Sequence, residues 1–238
     1  MVQDNLVQDS LVRGVMKTVF FDLFETLITE KTRSAYRSRT PNYVRLRTTR
    51  DRLSRWWLDF GDLAMTGGFP DFIAMFSHVR EKVGSPVTDR EISELAQDYE
   101  RRKQHVLSTV DSQVFELLNK VRNLGLSIGV ISNAMPEEAL AWKSCPLQDH
   151  VDDVVFSCKV GLMKPDSKIY ELACTRMDIR SSDAYFVGDG GFDELRGAAS
   201  VGMTAIQAAW YQQQEVAWPW DHPLLRAESM EDLPAMFR

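Results

Sequence analysis

Val19-Phe20-Phe21-Asp22-Leu23-Phe24-Glu25-Thr26-Leu27 is an aromatic and β-branched run interrupted by a carboxylate. With the two residues before it, the start of this run, Lys17–Phe21, predicts a short buried strand, because such side chains suit a pleated backbone. Asp22 then falls just past the carboxyl end of that strand. In open α/β sheets ligands bind at that end, so one acid already suggests both a fold and a site.

Downstream, the pattern from Ser34 to Val106 turns helical. Asn42–Leu63, Phe69–Val83 and Thr88–Leu107 carry apolar residues at helical spacing, with breaks at Gly67-Gly68 and Gly84-Ser85-Pro86. Asp111 or Ser112 is a suitable N-cap for a helix over Gln113–Asn123. Strands and helices then alternate. Strands are predicted at Ser127–Ile131, Asp153–Phe156, Ala184–Val187 and Thr204–Ala208. Helices are predicted at Pro136–Lys143, Pro165–Met177, Phe192–Val201 and Met230–Phe237. Alternation of this kind predicts a parallel sheet covered by helices on both faces. The expected fold class is α/β: a Rossmann-like, doubly wound parallel sheet core built from residues 15–33 and 108–238, with an all-α cap inserted over 34–107.

Composition bounds the function. A chain of 238 residues, 44% hydrophobic and 26% charged, can bury a core without disulfides. Cys145, Cys158 and Cys174 lack a C-x-x-C pairing and read as reduced structural thiols. Asp4 and Asp9 interrupt the segment where a signal peptide needs an apolar core, and no stretch has the apolar length of a membrane span. A cytoplasmic protein without a membrane partner is expected, as a monomer or homodimer. Between Lys31 and Arg55 eight arginines and one lysine meet a single acid, Asp51. That run reads either as a solvated helix face paired with acids elsewhere or as a positive rim drawing in an anionic substrate. The net charge of -6 argues against a nucleic-acid partner.

Three further segments put polar groups after predicted strands or at a helix mouth. Ser132 and Asn133 end G-V-I-S-N-A, where small polar groups and backbone N–H groups can hold a phosphoryl oxygen. Lys164, in G-L-M-K-P-D, stands at a helix start, where the helix dipole disfavours a cation. Asp189 lies in F-V-G-D-G-G-F-D-E-L. That loop is not a dinucleotide loop, since the third glycine of G-x-G-x-x-G would fall at Asp193. Its acids suit a hard, oxygen-seeking cation. His78, His105, His150 and His222 are scattered and form no zinc pattern.

The order and strand contexts of Asp22, Ser132, Lys164 and Asp189 resemble the haloacid dehalogenase superfamily of hydrolases, most of which are phosphatases. The resemblance implies that Asp22 is the nucleophile, forming a covalent aspartyl intermediate. It implies that Ser132 and Asn133 hold the transferring group and that Lys164 balances the crowded charge. It further implies magnesium held by Asp22, the Phe24 carbonyl and Asp189, with Asp193 or Glu194 as the second acid and Asp193 preferred. Arg33, with Lys31 and Arg37, could meet a second anionic group of a small phosphorylated substrate.

Phe24 departs from the family pattern. The phosphatases carry Asp there, to protonate the leaving oxygen and later deprotonate water. General acid–base help of that kind is worth about 10²–10⁴-fold. Glu25 is the nearest acid that could take over, and a cap residue or a substrate group could also serve. The dehalogenase branch also lacks the second Asp and works without metal, so carbon–halogen hydrolysis is the alternative. A third alternative is a phospho-ligand-binding protein with weak or lost catalysis. The acid-rich fourth motif favours the magnesium reading, since Asp189, Asp193 and Glu194 would repel one another without a cation.

Overall fold

A computed structural model describes residues 18–29, 40–211 and 216–237. β1 (Thr18–Phe21) lies in the middle of a six-stranded sheet. Its neighbours are β2 (Ser127–Ser132) and β4 (Ala184–Gly188), flanked by β3 (Asp153–Phe156) on one side and β5 (Thr204–Ala208) and β6 (Leu225–Ala227) on the other. Every pairing is parallel and the order is β3-β2-β1-β4-β5-β6, the expected doubly wound arrangement.

The alternation of side chains along β1 explains its central place. Val19 and Phe21 join Ile128, Val130, Val187 and Ile206 in one apolar cluster. Phe20 joins Ile131, Val155, Phe186 and Ala205 in another. A strand apolar on both faces is stable only when helices cover both, as parallel sheets require. Cys145, Cys158 and Cys174 are free, and burial pushes each thiol up to about 11.

Between β1 and the next strand lie α1 (Asn42–Arg45), α2 (Arg50–Met65), α3 (Phe72–Val83) and α4 (Asp89–Ser108). Each of the last three begins with a side-chain cap: Thr49 accepts from Arg52 N–H, Asp71 from Ala74 N–H, and Thr88 forms a reciprocal capping box with Glu91. The helix expected over Asn42–Leu63 is broken near Arg47, whose φ of 47° is left-handed. These helices share a separate core of Leu46, Trp56, Phe72, Phe76 and Ile92, in which Trp56 Nε1 donates to His78 Nδ1 at 3.1 Å. Arg45 and Arg47 pair with Asp98 and Glu91 of α4, so this part of the basic run is an ion-paired face. Lys31, Arg33 and Arg37 lie outside the described residues.

The remaining helices are α5 (Ser112–Asn123), capped by Asp111, then α6 (Pro136–Ala141), α7 (Ser157–Val160), α8 (Ser167–Arg176) and α9 (Glu194–Ser200). Two expectations change near the C-terminus. β6 lengthens the sheet although its three residues are too few to show a period, and the helix expected over Met230–Phe237 is only a 3-10 turn at Leu233–Met236, with Pro234 inside it. Trp142 is buried and packs edge-on against Phe156 at 5.8 Å. No helix among the described residues is long and apolar enough to cross a membrane.

Candidate active site

The parallel register places the ends of β1, β2 and β4 side by side, and the polar groups follow them. Asp22 leaves β1 with its N–H still donating to Val187 O of β4 at 2.8 Å. The chain then turns sharply: Leu27 and Ile28 N–H both return to Leu23 O, at 3.0 and 2.9 Å. Glu25 sits at the bend with a left-handed φ of 60°, and its Oε2 accepts the Thr29 hydroxyl at 2.8 Å.

Lys164 is the hub. Its side chain is 2% exposed, and Nζ donates to Asp22 Oδ1 and to Glu194 Oε2. Asp189 completes an acidic cluster: one oxygen each from Asp22, Asp189 and Glu194 lies within 4.8 Å of the others, and all three residues are buried. Burial raises the Asp22 pKa; Lys164 opposes this and Asp189 reinforces it. Glu194 is pushed well above the usual carboxylate range, first by burial and then by the charge of Asp22. For Lys164 burial acts downward, but Asp22 and Glu194 outweigh it and the net shift is upward.

Three buried carboxylates facing one ammonium leave uncompensated negative charge in a low-dielectric place. Oxygen donors with that surplus suit a small hard cation, so these residues fit magnesium. Asp22, Asp189 and Glu194 could hold the cation, directly or through water.

The fourth-motif loop corrects one expectation. Asp193, expected as the second acid, is 58% exposed and pairs with Arg196 at 3.4 Å. The place beside Lys164 belongs to Glu194. The reason is local backbone: Phe192 and Asp193 both take left-handed φ, 52° and 55°, which carries the Asp193 side chain outward and brings the next residue in. Glu194 is then held by Gly190 N–H, which donates to Oε1 at 3.1 Å. A Cβ at position 188 would lie 2.2 Å from Glu194 Oε1 and would push that carboxylate from its place.

Ser132 ends β2 fully buried, and its hydroxyl has no hydrogen-bond partner among the described residues. Asn133, expected with Ser132 to hold the transferring group, grips the backbone of Lys164 with its side chain: Nδ2 donates to Lys164 O at 2.9 Å and Oδ1 accepts Lys164 N–H at 2.8 Å. Phe24 is half-buried, with the Lys103 ammonium 4.6 Å from its ring centroid. Glu25 is not among the acids gathered around Lys164. Arg33 lies outside the described residues.

Lys103 and Glu138 were not foreseen. Lys103 sits in a charge-rich helix, and Glu138 follows a proline at a helix start, so neither position differs locally from an ordinary surface residue. Only the docking of α4 on α6 joins them, at 2.8 Å.

Residues 16–202 match the sequence model described as haloacid dehalogenase-like hydrolase. The chain belongs to that family and is a hydrolase of the haloacid dehalogenase superfamily. A glyceraldehyde 3-phosphate phosphatase of Pyrococcus abyssi (strain GE5 / Orsay) is 24% identical over 209 residues, covering 83% of this chain and 82% of the relative. An (S)-2-haloacid dehalogenase 4A of Burkholderia cepacia is 28% identical over 93 residues, 39% of this chain and 40% of the relative. Among solved structures, a dehalogenase superposes with a TM-score of 0.65 at 19% identity, over 96% of this chain and all of that one, a likeness of fold.

Proposed function

We propose that this chain is a magnesium-dependent phosphatase acting on a small phosphorylated metabolite through Asp22. The observation that carries the reading is the buried cluster of Asp22, Asp189 and Glu194 around Lys164, whose excess negative charge calls for a cation. The phosphatase relative supports the same substrate class. Magnesium, held by Asp22, the Phe24 carbonyl, Asp189 and Glu194, would draw charge from the phosphoryl oxygens.

The Asp22 carboxylate attacks phosphorus, forming an O–P bond as the bond to the leaving oxygen breaks. Lys164 keeps Asp22 ionised and oriented. The Ser132 hydroxyl donates to a phosphoryl oxygen, which gives a partner to an otherwise unpaired buried group. Residues 34–107 act as a cap that limits water and selects substrate.

Thermal melts with magnesium and beryllofluoride test the reading. The wild-type melting temperature should rise and that of Asp22→Asn should not; equal shifts in both would sink it. Phe24 favours carbon–halogen hydrolysis as the second reading, since that chemistry needs no acid at this position. That reading requires halide release from a 2-haloacid that persists in a chelator.

A further inference from the structure

Phe24 stands where the phosphatases of the family carry their proton donor, and Lys103 covers it. The ammonium lies 4.6 Å from the Phe24 ring centroid and 5.5 Å from that of Tyr99. Glu138 Oε1 holds it at 2.8 Å, with side-chain exposures of 13% for Lys103 and 6% for Glu138. Glu138 is itself fixed, its Oε2 accepting Met135 N–H at 2.8 Å. The charge is therefore held between the turn after Asp22 and the loop after Ser132. Phe24 follows Asp22 by two residues, no more than about 7 Å of chain, so the amine sits over the turn that carries the nucleophile. Two aromatic faces and a carboxylate thus surround its positive charge.

We propose that Lys103 is the proton donor to the leaving oxygen, replacing the acid that Phe24 lacks, and that Glu138 is its positioning residue. The proposal rests on the Asp22 phosphatase reading. As the Asp22 oxygen bonds to phosphorus, the P–O bond to the leaving group breaks and its electron pair stays on the leaving oxygen. The Lys103 ammonium transfers a proton there, releasing an alcohol and leaving a neutral amine. In the second half, water adds to phosphorus and gives its proton to that amine as the Asp22–phosphorus bond breaks. Phosphate leaves, and the carboxylate and ammonium are restored.

The test uses two substrates that differ in their need for a proton: an alkyl phosphate, whose alkoxide is strongly basic, and p-nitrophenyl phosphate, whose phenolate leaves unaided. Lys103→Met should lower kcat/KM on the alkyl phosphate by about 10²-fold or more. It should lower kcat/KM on p-nitrophenyl phosphate by a much smaller factor, which also reports that the variant is folded. Lys103→Arg keeps the charge but cannot release a proton, so it should be as slow as Lys103→Met on the alkyl substrate. Equal losses on both substrates would make Lys103 a structural tie between α4 and α6 and overturn the proposal. Full alkyl activity in Lys103→Arg would also overturn it, as would a wild type active only on the aryl ester. Should wild type release phosphate from neither ester while retaining the Asp22-dependent beryllofluoride shift, the proton-donor role fails and the Asp22 site stands. Without that shift, both fail.

Discussion

The Asn133 amide is bound to both peptide groups of Lys164, donating to its carbonyl at 2.9 Å and accepting its N–H at 2.8 Å. The residue that follows the β2 strand therefore fixes the loop that carries the buried ammonium. Residues 133 and 164 are far apart in sequence, and this clamp makes the second and third motifs one unit.

Asn133→Ala should cost about 1–2 kcal/mol of stability through the lost hydrogen bonds. Lys164 would shift relative to Asp22, and displacement of a positioned group on the ångström scale typically costs about 10²-fold in turnover. Asn133→Asp keeps the acceptor but sets a carboxylate oxygen against the Lys164 carbonyl, so it should lose at least as much as Asn133→Ala. Thermal melts and phosphate release check this; full turnover in Asn133→Ala would mean that the clamp is dispensable.

Glu194 and Asp193 offer a sharper contrast. Glu194→Gln removes a buried charge that faces Lys164 and should lower activity or metal affinity by about 10–100-fold. Asp193→Asn tolerates the left-handed backbone and alters an exposed pair, so stability should stay within about 0.5 kcal/mol and activity close to wild type. Magnesium-dependent melts of the two variants decide it. A larger loss in Asp193→Asn would return the second-acid role to residue 193.

Glu137 gives a pH dependence. It accepts from Phe72 N–H at the start of α3, and its Oε2 is buried with no hydrogen-bond partner among the described residues. Burial, with Asp71 and Glu100 nearby, raises its pKa from 4.5 to about 7, and Lys159 lines the same cavity of about 420 Å³. The folded state thus keeps a proton that the unfolded chain releases. Its contribution to stability is full below 4.5 and is lost as pH rises through about 7. The melting temperature of wild type relative to Glu137→Gln should be higher at about pH 5 than at about pH 8. A pH-independent difference would remove Glu137 as the titrating group.

Amino-acid order alone carried five of the six strands, because they are short apolar runs that need burial on both faces and are separated by periodic helices. Asp22, Ser132, Lys164 and Asp189 were legible for the same reason: each follows a strand end or opens a helix, and the parallel fold collects those places at one edge. Tertiary structure had to decide which acid joins them, since the choice between Asp193 and Glu194 depends on two left-handed residues whose backbone state is not written in side-chain type. It also had to bring Lys103 over Phe24. That contact depends on how a helix from residues 89–108 docks against the loop after Ser132, and packing between distant segments leaves no periodic mark in either one.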